Sequence, residues 1–207
     1  MIAIIDYRAG NLTSVARALQ YLAEPCEITG DPRKLQEAER IIFPGVGAAG
    51  EAMGNLRAGG LDACIREAFQ AGKPILGICL GTQVIFDYSE EDEAACLGIV
   101  RGQVRRFPGD LRQNGKPLKI PHMGWNRLRI ERPAPILAGL PDEPFFYFVH
   151  SYYVVPTGVD VTAATTEYGT RFTSVIWRDN LFATQFHPEK SQGAGLALLK
   201  NFAALAR

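Results

Sequence analysis

Surplus charge, close cysteine pairs and long apolar runs are all missing from this 207-residue chain, and each gap removes a class of function. Lys plus Arg equals Asp plus Glu at 22 each, so no strong basic field is available for nucleic acid. No apolar run reaches membrane-spanning length. The start, Met1-Ile-Ala-Ile-Ile-Asp6, lacks the basic region and long apolar stretch of a signal peptide and reads as a first buried strand. Four cysteines at irregular spacing, with no CxxC pair, predict a reducing cytoplasm and no metal knuckle. There is no internal repeat, low-complexity segment or linker. What remains, 47% hydrophobic and 21% charged residues, suits one α/β domain over residues 1–207 with a substantial core.

Strands and helices alternate through the first part of the chain. Ile2–Ile5 predicts a strand, and Asn11 or Thr13 is placed to cap a helix with Val15, Leu19 and Leu22 on one face. A short strand near Cys26–Thr29 precedes Asp31-Pro32, a cap followed by proline at the first helical position. Strand Arg40–Phe43, a helix around Leu61–Gln70, strand Pro74–Ile78 and a helix from Leu80 to about Tyr88 follow. Such alternation predicts an open, mostly parallel sheet covered by helices. From Ile99 the helical pattern stops. Gly98–Phe107, Asn126–Ile130, Pro144–Val155, Val161–Glu167, Phe172–Arg178 and Leu181–Phe186 predict strands, some in antiparallel hairpins. A final helix runs from about Gly193 to Leu205.

The run Gly77-Ile-Cys79-Leu-Gly81 joins the Pro74–Ile78 strand to the next helix. A nucleophile on a tight strand-to-helix turn needs small neighbours, and the glycines on either side of Cys79 supply them. The first free N–H groups of a helix favour a thiolate there. Cysteine is also a common buried residue, and that structural reading suits Cys26, Cys64 and Cys96, none of which has this setting. A reactive Cys79 needs a base, and Thr184-Gln-Phe-His187-Pro188-Glu189 offers one. Pro188 biases His187 toward extended backbone. Residues two apart then project to one side, so Glu189 can hold one imidazole nitrogen and aim the other at the thiol. By itself the pair could be an incidental surface turn. After strand Arg40–Phe43, Pro44-Gly-Val-Gly47 could present backbone N–H groups to an oxyanion, or be a plain turn. In a parallel sheet it lies at the same carboxyl-terminal edge as Cys79.

Between Arg101 and Arg132 nine basic residues face only Asp110 and Glu131. A solvated face explains such a cluster, and an acidic partner or a phosphorylated metabolite is the alternative.

Together Gly77-Ile-Cys79-Leu-Gly-Thr-Gln83, Pro44-Gly-Val-Gly47 and His187-Pro-Glu189 resemble the class I (triad-type) glutamine amidotransferases over nearly the full chain. Ile120-Pro-His-Met-Gly-Trp-Asn126 and Tyr147-Phe-Val-His-Ser-Tyr152 narrow the resemblance to the glutaminase subunits of imidazole glycerol phosphate synthases. The resemblance implies that Cys79 attacks the side-chain amide of glutamine, with His187 moving protons and Glu189 orienting it. It places the oxyanion hole at the N–H groups of Val46 or Gly47 with Leu80. It puts Gly45, Gln83, Glu91, His150 and Ser151 near the substrate, although the acidic stretch around Glu91 could equally be solvated loop and His150 a structural histidine. It implies a (β/α)₈-barrel cyclase subunit as heterodimer partner, receiving ammonia to make imidazole glycerol phosphate and AICAR in histidine biosynthesis. His122, Met123, Trp125, Asn126, Tyr147 and Lys190 are the implied partner contacts, with Trp125 as core the competing reading. Glutaminases of this type idle alone, so Pro44–Gly47 is expected to flip a peptide when the synthase is occupied. No cofactor, metal, nucleic acid or membrane is implied. Thr82 departs from the methionine found in many relatives.

Three other functions compete. One is a glutaminase subunit serving anthranilate, aminodeoxychorismate or pyridoxal phosphate synthesis, against which the Met-Gly-Trp-Asn segment speaks. A second is a free-standing cysteine hydrolase. The third is a regulatory binding protein keeping the fold, whose usual mark would be a missing triad member.

Overall fold

In a computed structural model that describes every residue except Ala9 and Arg207, the chain runs β1 (Ile2–Ile5), α1 (Leu12–Tyr21), β2 (Cys26–Thr29), α2 (Pro32–Glu37), β3 (Arg40–Phe43), α3 (Ala49–Ala58), α4 (Leu61–Gln70) and β4 (Ile75–Ile78). It continues with α5 (Leu80–Val84), β5 (Tyr88–Ser89), β6 (Ala94–Ala95), β7 (Gly102–Arg106), β8 (Arg112–Gln113) and β9 (Lys116–Pro117). Then come β10 (His122–Arg127), β11 (Arg129–Ile130), β12 (Phe145–His150), β13 (Tyr152–Pro156), β14 (Thr162–Glu167), β15 (Arg171–Arg178), β16 (Leu181–Thr184) and α6 (Gln192–Ala203).

The main sheet has the order β2-β1-β3-β4-β16-β15-β13-β7-β5-β6. Its first five strands are parallel, and β15 opens an antiparallel wing. One edge of β15 pairs with β14. The other takes β16 over Val175–Arg178 and then β13 at Thr173, so the sheet forks there. Successive residues of β1 alternate between two apolar cores, one on each face. Ala3 and Ile5 join Leu35, Met53, Leu56 and Ile65 beneath α2, α3 and α4, whereas Ile2 and Ile4 join Val15, Leu19, Leu198 and Phe202 beneath α1 and α6. Burial on both faces explains why these strands read as continuous apolar runs.

Local chemistry explains the start of one helix, α2. The Asp31 side chain accepts the Arg33 N–H at 2.9 Å, and Pro32 follows at the first helical position, as expected. Helix α3 has no such signal, because Ala48 precedes it. Its free N–H groups are met from elsewhere: Ala49 donates to Glu91 at 3.0 Å and Gly50 to Asp92 at 3.2 Å. Glu91 and Asp92 thus cap a helix 42 positions away, while Glu90, Asp92 and Glu93 stay exposed to solvent as a loop would.

Four expectations need correction. Helix α5 spans five residues and does not reach Tyr88, which turns into β5. The predicted Pro144–Val155 strand is two strands broken at Ser151, β12 pairing with β10 in a separate two-stranded sheet and β13 with β7 in the main one. The Gly98–Phe107 strand shortens to β7. Asn11 stands at the N-cap of α1 with φ 74°, yet its side chain makes no capping hydrogen bond. Among the described residues, no helix is long and apolar enough to cross a membrane.

The register sets three chain segments side by side. Phe43 on β3 lies opposite Gly77 on β4, and Ile78 lies opposite Thr184 on β16. The loop after β3, the turn after β4 and the chain after β16 therefore leave one sheet edge together. They carry Pro44–Gly47, Cys79 and His187.

Candidate active site

Cys79 sits at φ 54°, ψ −103°, a conformation L-residues rarely adopt. Its neighbours hold it there. The Cys79 N–H donates to the Thr184 carbonyl at 2.8 Å, extending the β4–β16 ladder past its end. The Thr82 hydroxyl donates to the same carbonyl at 2.6 Å, pinning α5 to β16. The glycines have definite reasons. A Cβ on Gly81 would lie 1.9 Å from the Phe43 carbonyl oxygen, and one on Gly77 would press on Ala183 and Gly81. Only glycine lets the elbow pack this tightly against β3.

The sulfur lines a cavity of roughly 320 Å³ that also meets Val46, Gly47, Leu80, Gln83, Glu91, Pro121, Val149, His150, Ser151 and Tyr152. The sulfur lies 3.9 Å from both the Val149 carbonyl oxygen and the Gln185 amide nitrogen. His187 Nδ1 is 2.8 Å from Glu189 Oε1, with both side chains closed to solvent. The pair does not form along extended chain, as the two-residue spacing suggested. His187 is extended, but Pro188–Lys190 is a 3₁₀ turn that folds Glu189 back under the ring.

His187 Nε2 is buried without a directed hydrogen-bond partner, and the Cys79 sulfur is close enough to act on it as an acceptor and as a charge. Burial works against a charged ring and is the largest single effect. Cys79 and Glu189 together outweigh it, so the pKa of His187 is raised. The arrangement is a thiol, a base that readily holds a proton, and a carboxylate fixing the base's tautomer. That set can carry out acyl transfer through a thioester.

The oxyanion segment is in a closed arrangement. Leu80 N–H donates to the Gly45 carbonyl at 3.3 Å, so the donor expected for an oxyanion is already in use. Val46 and Gly47 line the cavity, Gly47 at φ 114°, but Gly45 does not. Gly45 is buried beneath Tyr7, whose hydroxyl oxygen lies 1.8 Å from where a Gly45 Cβ would be, so it stands behind the cavity wall and not on it as expected. The Tyr7 hydroxyl has no partner, and its pKa is raised, first by burial and then by the charge of Cys79.

Gln83, Glu91, His150 and Ser151 all reach the cavity. The Gln83 amide donates to the Tyr152 carbonyl at 3.0 Å and to Gln185 Oε1 at 3.3 Å. Burial raises the pKa of Glu91, opposed by the Ala49 N–H it accepts. His150 is a structural histidine as well as a wall of the cavity. Its Nδ1 faces the Tyr152 carbonyl at 2.8 Å and must carry the proton there, leaving Nε2 to accept from His122 Nδ1 at 3.0 Å. Neither ring readily holds a second proton: burial pushes His122 down to about 4, and burial, then repulsion from a protonated His122, pushes His150 down to about 3.

His122 therefore does not fit its expected role as a partner contact. On the β10–β12 ribbon the register alternates faces, which sends His122 and Asn126 inward. Asn126 donates to the Glu167 carbonyl at 2.9 Å and lies 3.3 Å from His122 Nε2. Met123 and Trp125 turn outward and are 63% and 46% exposed, with Phe145 at 47% and Tyr147 edge-on to Trp125 at 6.1 Å. Lys190 is exposed on the 3₁₀ turn, where the His187 N–H donates to the Tyr147 carbonyl. The basic cluster spreads over separate surfaces. Arg127 pairs with Glu143, Arg129 lies beside Glu131 and Arg132 stacks on Trp177.

Two residues of the site escape a reading by motif. Gln185 is fully buried beside the thiol, and its only sequence signal is a polar residue inside the apolar run Leu181–Phe186. Asn11, read as a helix cap, instead hydrogen-bonds Glu189 Oε1. Among the described residues, no cluster of three His, Cys, Asp or Glu side chains could hold a metal ion.

An α/β sheet with a cysteine elbow and a His–Glu pair at one carboxyl edge defines a class, and comparison with known proteins bears on it directly. The family model described as glutamine amidotransferase class-I matches residues 3–205, and the chain belongs to that family. Within it, the chain is 50% identical over 203 residues to "Imidazole glycerol phosphate synthase subunit HisH" of Syntrophotalea carbinolica, covering 98% of each chain. It is 52% identical over 203 residues to the protein of that name from Desulfovibrio desulfuricans, covering 98% of this chain and 93% of that one. Among solved structures, PurLQS from Thermotoga maritima shares the fold with a TM-score of 0.75 at 18% identity, over 97% of this chain and 96% of that chain.

Proposed function

We propose that this chain is the glutaminase subunit of an imidazole glycerol phosphate synthase, acting in the cytoplasm as one glutaminase domain over residues 1–207. The observation that carries the reading is the Cys79 elbow, open to a cavity and seated beside a closed His187–Glu189 pair. The Cys79 thiolate attacks the side-chain carbonyl carbon of glutamine. The C–N bond breaks as His187 gives its proton to the leaving nitrogen, which departs as ammonia from a γ-glutamyl thioester. His187 then takes a proton from water, whose oxygen attacks the thioester. The C–S bond then breaks, glutamate leaves, and the Cys79 thiolate beside a protonated His187 is restored. The raised pKa of His187 suits the first of these steps, because a proton must be on the ring when the amine departs.

The closed oxyanion segment supports regulation by a partner. The Gly45 carbonyl that occupies Leu80 N–H shares a peptide with the Val46 N–H. Flipping that one peptide frees the Leu80 N–H and turns the Val46 N–H inward, which is the pair of donors an oxyanion needs. The exposed apolar stripe of Met123, Trp125 and Phe145, flanked by half-buried Tyr147, suits docking of a (β/α)₈-barrel cyclase subunit. Ammonia needs sealed passage to that partner, because protonation removes the lone pair with which it attacks. The test mixes this chain with the cyclase barrel, its phosphorylated ribonucleotide and glutamine. Imidazole product is expected only when all are present, together with faster glutamine hydrolysis than the chain shows alone. Equal hydrolysis rates with and without partner and nucleotide would remove the switch, and no imidazole product would remove the assignment.

A further inference from the structure

We infer that Asn11 is a positioning residue for the proposed triad, fixing the Glu189 carboxylate so that His187 keeps Nδ1 turned inward and Nε2 toward the thiol. This rests on the glutaminase reading above. Glu189 is closed to solvent, and Oε1 accepts from both His187 Nδ1 and the Asn11 side-chain amide. Oε2 is buried with no partner. Among the described residues, Asn11 is thus the one donor on this carboxylate besides the imidazole itself. A buried carboxylate with a single hydrogen bond is free to rotate about its last bond and is costly to keep ionised. A second donor on the same oxygen settles both problems, because it selects which oxygen meets the ring and favours the charged form.

A second observation points the same way. Asn11 heads α1 at the position where an asparagine usually caps its own helix, and it forgoes that bond. It adopts φ 74°, a left-handed conformation that asparagine tolerates better than most residues. A residue that abandons its local role to reach across 178 positions is held there by the bond it makes. The ionisable groups facing His187 are Cys79, Glu189 and His150, and Asn11 acts on the ring only through Glu189.

Asn11→Ala and Asn11→Ser separate this role from helix capping. Serine caps helices about as well as asparagine, but its hydroxyl ends one bond short of Glu189. The full chain with its barrel partner would be assayed for glutamine hydrolysis, and His187 titrated in the free chain by proton–nitrogen correlation NMR. Both variants are expected to lose about ten- to a hundredfold in kcat, as when other partners that orient a functional imidazole are removed. KM should stay within about twofold, since no substrate contact is lost. The His187 midpoint should move down toward the ordinary histidine value in both. An Asn11→Ser protein matching wild type in kcat and midpoint would overturn the inference. Should wild type itself fail to hydrolyse glutamine, the proposed function falls instead, and the His187 midpoint still decides the role of Asn11.

Discussion

At the scale of single residues, the site sets a strained cysteine beside a buried His187–Glu189 pair. Cys79 occupies φ 54°, ψ −103°, where a side chain costs about 1–3 kcal/mol. Cys79→Gly should therefore raise the denaturation midpoint while lowering glutamine turnover at least about a thousandfold. A thermal melt and a glutamate assay on the same sample check this, and a lower midpoint would mean that the elbow is relaxed. His187 has a folded-state pKa raised above its unfolded value, to about 10. The stability its protonated form supplies is fully present below about pH 6.5 and lost as pH rises through about 10. The gap in urea stability between wild type and His187→Gln should accordingly shrink over that window. A gap that is flat with pH would contradict the ring's assigned partners. Cys79 and His187 were legible as candidates because flanking glycines and Pro188 constrain their backbone, whereas Glu189 meets His187 through a 3₁₀ turn and not the extended chain its spacing suggested. Gln185 and Asn11 were not, since an amide in a strand or at a helix head resembles ordinary structure until the fold brings its partner.

At the scale of elements, tight backbone approach and a buried histidine pair are the sensitive points. Helix α5 can begin where it does only because Gly81 abuts the Phe43 carbonyl. Gly81→Ala should cost about 1–3 kcal/mol, read as a drop of several degrees in melting temperature for a chain of this size. Activity should fall as well, because α5 carries Leu80 N–H and Gln83. A fully active Gly81→Ala protein would show that the elbow has slack. The β10–β12 ribbon joins His122 to His150, both neutral and both depressed in pKa. Groups held neutral in this way stabilise the fold above about pH 6.5 and lose that contribution as pH falls toward 4 and 3. At pH 5 the loss is about 2 kcal/mol for one such histidine. Urea unfolding at pH 7.5 and pH 5 should show it in wild type, and much less in a His122→Gln, His150→Gln double variant. Elements with local signals were legible: β1, α2 and α4 lie where periodicity and caps placed them, and β16 begins at Leu181 as expected but ends two residues early, at Thr184. Helix α3 was missed because its caps, Glu91 and Asp92, are 42 positions away. The break at Ser151 was hidden because β12 and β13 are both apolar, and only their different partners separate them.

At the scale of the molecule, one sheet edge carries the chemistry and the neighbouring ribbon presents the apolar stripe. Trp125→Ala should weaken binding of the barrel partner at least about tenfold, or roughly 1.4 kcal/mol. Titration calorimetry would show it, while the His187 titration of the free chain stays unchanged. Unaltered affinity would move the docking face elsewhere. The α/β class and the shared carboxyl edge followed from strand–helix alternation alone. The inward turn of His122 did not, because the face of a strand depends on register with a partner that sequence does not name. All of this depends on the Cys79 sulfur forming a bond to the glutamine side chain. The most direct measurement is rapid quenching of the enzyme during turnover, followed by mass spectrometry of the peptide containing Cys79. A γ-glutamyl adduct on Cys79, lost in Cys79→Ala along with turnover, is the predicted result. Turnover that persists in Cys79→Ala, or an adduct on another residue, would contradict the account.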